Sequence, residues 1–142
     1  MYIVSSVLIA LVALLHAYFL YLEMFAWTKP AGLKAFRNTP EKAELTKVLA
    51  ANQGLYNGFL VAGLVWALIE SRSFFAFDLK LFFLSCVIVA ALYGAYSVSR
   101  RILMIQGLPA IIALGLTVAF ANPYLDLDCC GTAPSPQVTT NS

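Results

Sequence analysis

Long apolar runs broken by short polar intervals dominate the chain. One runs from YIVSSVLIALVALL through LHAYFLYLEMFAW and covers about residues 2–27. The others cover about 48–69, 79–99 and 104–121. A helix that crosses a bilayer needs roughly 20 mostly apolar residues, so the first three runs are long enough and the fourth is marginal. Barrel strands would alternate and be shorter, which leaves helices. The pattern therefore predicts an all-α, integral membrane four-helix bundle over 1–121. Pro109 is expected in the first turn or two of the last helix, where a missing N–H is best tolerated. The first run has no basic segment before it and no small-residue cleavage motif, so it reads as a retained span rather than a signal peptide.

Charge then orients the bundle. Lys29, Lys34, Arg37, Lys42 and Lys47 lie between the first two runs, and Arg100 and Arg101 between the last two. Those two intervals share a side. The opposite side has only Arg72 and Lys80. By the positive-inside rule the basic side is cytoplasmic and both termini face the periplasm, with the inner (plasma) membrane as the expected location. Residues 122–142 carry Pro, Ser and Thr without apolar periodicity and are expected to be a disordered tail. Its adjacent Cys129 and Cys130 cannot bridge each other without a strained ring.

Composition supports the membrane class. The chain has 142 residues, 61% hydrophobic and 11% charged, against about 25% charged in a soluble domain. No basic patch suggests nucleic acid, and no Cys/His spacing suggests a metal site. The expected partners are the bilayer and a second copy of the chain. The sequence leaves the cofactor unknown.

Polar residues inside the runs are the candidate chemistry. His16 and Glu23 are seven residues apart on the first helix, nearly two turns, so they share a face. Asn52, Gln53, Tyr56 and Asn57 fall in the basic-side half of the second helix. Tyr93 and Tyr96 close the third, and Gln106 opens the fourth. All then fall in one layer, the inner half, with Asn57 level with His16 and Asn52 and Gln53 level with Glu23. The outer half is expected to be apolar. Ionisable groups inside spans usually face the bundle interior and mark function. Two readings stay open: a ligand-binding cavity, or polar contacts that only hold helices together. Glu23 also lies close enough to Trp27 to reach an interface. The Gly54/Gly58 and Ala90/Gly94 pairs read as close helix packing.

The run ANQGLYNGFL, with LHAYFLYLEMFAW before it and YGAY and QGLPA after it, resembles the DUF1304 type of small four-span bacterial and fungal membrane proteins. The likeness covers residues 5–120 and implies the four-helix topology but no activity. A second likeness is to the microsomal glutathione transferase and eicosanoid-enzyme superfamily, whose members are four-span trimers with a polar second helix. Their Arg-x-x-x-Asn-x-x-Glu motif is not reproduced: KVLAANQGLYNG offers Lys47 and Asn52 with neither Arg nor Glu in register.

Three function classes follow. A binding or translocating module would use Glu23 and His16 toward a small ligand or protons. A membrane enzyme would act on a lipid or thiol substrate. A structural or accessory subunit would use the polar layer to pair helices. No nucleophile–base pair stands out, which favours a non-enzymatic protein.

Overall fold

A computed structural model describes residues 2–125. The expected tail disorder beyond Leu125 and the Cys129–Cys130 pair lie outside the described residues. Within them, α1 (Tyr2–Phe25), the short α2 (Pro30–Phe36), α3 (Pro40–Ile69) and α4 (Ser73–Ser97) follow one another. Then α5 (Arg100–Ile102) passes through a π-helical turn (Leu103–Gly107) into α6 (Leu108–Phe120). Four stretches are long and apolar enough to cross a membrane: Ile3–Phe25, Pro40–Ile69, Ser73–Ser97 and Arg100–Phe120.

The four long helices form a ring. α1 packs on α3 and α6, and α4 packs on α3 and α6. Ile9, Val12 and Ala13 of α1 meet Leu64 of α3, Leu84 and Val87 of α4, and Ala110 and Ala113 of α6 in the buried core. Small residues permit close approach where lipid supplies no hydrophobic drive between helices. At Gly63, for instance, the Phe83 ring occupies the place a Cβ would take.

Three helices begin earlier than hydropathy alone predicts. α3 starts at Pro40 rather than about 48. Thr39 caps it by accepting from the Lys42 backbone N–H at 3.3 Å, and Pro40 fills the first helical position, where no N–H is needed. The added turns, PEKAELTK, are good helix formers that are too polar to register as a span. α4 starts at Ser73, before the 79 expected, and Lys80, which lies within it, is buried. The last helix starts at Arg100, where the Ser99 side chain accepts from the Arg101 N–H at 3.4 Å. Pro109 lies in the first turn of α6, as expected, while the continuous span from Arg100 places it near that span's middle. Proline removes one helical hydrogen bond and crowds the preceding turn. The wide π turn just before it, closed by the Leu108 N–H on the Leu103 carbonyl, accommodates that disruption.

α2 is an element that apolar periodicity could not announce. Pro30 starts it, and Arg37, with φ 52°, ends it in the left-handed region. Gly32 is buried, and a Cβ there would lie 2.1 Å from the Ala26 carbonyl oxygen. Phe36 packs on Trp27, with ring centroids 4.7 Å apart. The helix thus folds back over the end of α1.

Candidate functional site

The site forms where α1 ends and α3 begins, at the end of the bundle that carries α2. Gly54 and Gly58 face α1. A Cβ on Gly54 would sit 2.6 Å from Met24 Cγ, and one on Gly58 would sit 2.9 Å from Leu20 Cδ1. These contacts bring the two backbones close and fix their register.

In that register Asn57 meets Glu23. The Asn57 Nδ2–H donates to Glu23 Oε2 at 2.7 Å, and both residues are buried, at 7% and 8% exposure. Asn57 is thus beside Glu23, not level with His16 as expected. The difference arises because the Gly54 and Gly58 contacts, rather than equal distance from the helix ends, set the pairing. Oε1 of Glu23 receives no bond from a described residue. No buried side-chain polar atom among them lacks a partner. Glu23 also lines the adjoining cavity.

The cavity has a volume of about 390 Å³, within the 300–1,000 Å³ typical of small-molecule sites. Glu23, Met24, Phe25, Trp27 and Thr28 form one wall, and Lys47, Val48, Ala51 and Asn52 the other. Trp27 is held from two sides. Its Nε1–H donates to Thr46 Oγ1 at 3.2 Å, and its ring packs on Phe36. Lys47 is exposed and ion-pairs with Glu44.

The remaining candidates do not join this pair. His16 is buried, and its Nδ1 lies 2.8 Å from the carbonyl of Val12 in its own helix. Its ring stands edge-on to Phe19, with centroids 6.4 Å apart. Of the polar run on α3, Asn52 reaches the cavity wall, whereas Gln53 and Tyr56 are exposed and do not line it. Tyr93 and Tyr96 are exposed on α4, and Gln106 is half-buried in the π turn. The structure therefore brings together Glu23, Asn57 and Asn52 from the predicted set.

Several polar groups escaped the sequence reading. Thr28 and Lys47, loop positions by hydropathy, line the cavity together with Trp27, an aromatic that the sequence offers both to a pocket and to the interface belt. The antiparallel pairing of the end of α1 with the start of α3 was the signal available. The other half of the bundle is not wholly apolar. Ser5 and Thr117 share a 2.6 Å hydrogen bond across α1 and α6, and both are buried. Lys80 is also buried there. At that end Glu70 and Arg72 form an ion pair at 3.0 Å. The Arg72 hydrogen bonds hold the Glu70 carboxyl down at about 2.

Comparison with known proteins now places the chain. Residues 10–118 match the family described as "Protein of unknown function (DUF1304)". The chain belongs to the DUF1304 family. A similar relative is the "Uncharacterized protein YpaA" of Lactococcus lactis subsp. lactis (strain IL1403), 35% identical over 116 residues, which cover 80% of this chain and 96% of that protein. No solved structure matches. The family match spans α1 from Ala10, all of α2–α4, and most of α6. Both walls of the Glu23 cavity thus lie inside the matched region.

Proposed function

We propose that this DUF1304 chain is a polytopic membrane protein that binds a small ligand through the Glu23 cavity, on the cytoplasmic side of the inner membrane. The carrying observation is a buried carboxylate held by Asn57 in a residue that lines a cavity of about 390 Å³. A carboxylate buried at the end of a span gives up hydration that its protein partners must replace. One hydrogen bond from Asn57 replaces only part of it, so a bound donor or cation at the carboxylate is the chemistry that completes the site. The basic residues Lys29, Lys34, Lys42 and Lys47 beside it support the orientation.

Binding is favoured over proton translocation. A relay needs a chain of titrating groups or water, and His16 is engaged with Val12 rather than Glu23. Beyond it the interior is the apolar cluster around Ile9, Leu64, Leu84 and Ala110. An enzymatic reading has less support, because the cavity wall offers no cysteine or serine nucleophile beside a base.

Native mass spectrometry of the purified protein tests this reading. The parent chain is expected to retain a non-protein mass that Glu23→Gln loses at unchanged helical content. Equal retention by both proteins, or no bound mass in either, would contradict it.

A further inference from the structure

We infer that the Glu23 cavity takes the headgroup of an amino-phospholipid, with its primary ammonium on Glu23 and its phosphate on Lys47. This rests on the binding role proposed for that cavity and names its ligand class.

Depth is the first argument. α1 has 24 residues, a length of about 36 Å at 1.5 Å per residue, against a hydrocarbon core of about 30 Å. Its last turn, which carries Glu23, Met24 and Phe25, therefore lies at the edge of the hydrocarbon. Trp27 follows directly, a residue type enriched at headgroup level. The cavity is placed where lipid headgroups are.

The lining is the second argument. The cavity combines one acidic group, Glu23, with one basic group, Lys47. A zwitterion matches that pair, whereas a simple anion or a simple cation matches half of it. Lys47 stands seven residues before Gly54 on α3, about 10 Å along the helix. A lysine side chain together with an ethanolamine phosphate spans such a gap. The Lys47 pair with Glu44 is exposed on both sides and does not lock the ammonium, since exposed pairs are weak. Thr28 and Asn52 add hydrogen-bonding groups to the walls.

The apolar walls are the third argument. Met24, Phe25 and Val48 line the cavity and are themselves exposed on the outside of the bundle. A ligand held there has apolar surface beside its polar head, as a diacyl lipid does. A primary ammonium can donate to the carboxylate of Glu23, but a quaternary one cannot. A quaternary group prefers an aromatic cage, and here the Trp27 ring is committed to Phe36.

Full-length protein in detergent, titrated with defined lipids and followed by native mass spectrometry, provides the test. Phosphatidylethanolamine is expected to bind at least tenfold more tightly than phosphatidylcholine or phosphatidylglycerol of the same chains. Glu23→Gln should abolish that preference. Lys47→Gln, an exposed change that leaves the core untouched, should weaken phosphatidylethanolamine about tenfold, and free phosphoethanolamine at equal concentration should not displace it. Equal binding of the three lipids, a preference for phosphatidylglycerol, or displacement by the free headgroup would overturn the lipid assignment. If another small molecule is nonetheless retained and lost in Glu23→Gln, the binding role survives without this ligand. If nothing bound depends on Glu23, both fail.

Discussion

Glu23 and Asn57 are the residues on which the site depends, and their coupling is measurable. Removing Asn57 leaves the carboxylate without its donor, at a cost of about 1–3 kcal/mol. Asn57→Leu should therefore destabilise the protein clearly. In a Glu23→Gln background the same change should cost less, with a coupling of about 0.5–3 kcal/mol. A double-mutant cycle on thermal stability in detergent checks this, and strict additivity would mean that the 2.7 Å contact contributes nothing. A second residue-scale expectation concerns Glu70. Its carboxyl is held at about 2, below the ordinary 4.5, by Arg72. A depressed carboxyl contributes stability that is present above its unfolded pKa and is lost as pH falls through the folded one. The parent should lose stability between about pH 4.5 and 2, and Arg72→Ala should flatten that part of the curve.

Which of these residues the sequence disclosed follows from what hydropathy can see. Glu23 stands out because an acid is rare in an apolar run. Asn57 looks no different from Asn52 or Gln53, since all are amides on one helix. Only the Gly54 and Gly58 contacts with Met24 and Leu20 decide that Asn57 turns inward while Gln53 and Tyr56 face out. Ser5 and Thr117 leave the hydropathy average unchanged as single small polar residues, and Lys80 reads there only as a charge that helps orient the bundle.

At the scale of elements, the four long helices were legible because apolar length is a strong signal. Their starts were not, because Thr39, Ser73 and Ser99 begin helices whose first turns are polar or short of a full span. α2 was invisible, being seven residues fixed by Pro30, Gly32 and Arg37 rather than by periodicity. The glycines make the packing testable. Gly54→Ala should destabilise by about 1–3 kcal/mol, because a Cβ there meets Met24, Glu23 and the Leu20 carbonyl and overpacking is costly. Gly115→Ala should be neutral or stabilising by about 0.5–1 kcal/mol, because its Cβ meets nothing within 4 Å and alanine is the better helix former. Thermal unfolding of the two variants side by side is the check. Equal effects would remove the account of α1–α3 packing.

For the whole molecule, the charge split between the two ends of the bundle predicts its placement. A reporter active only in the cytoplasm should signal when inserted near Arg37 and stay silent when fused after Ser142. The opposite result would move the Glu23 cavity to the periplasmic leaflet and leave its geometry intact. The most direct test of the central claim is a density map of the protein in a lipid nanodisc, at side-chain resolution. The account predicts non-protein density within hydrogen-bonding distance of Glu23 Oε1, extending along the cavity toward Lys47. A cavity filled by the protein's own side chains, with Glu23 turned out to solvent, would contradict it.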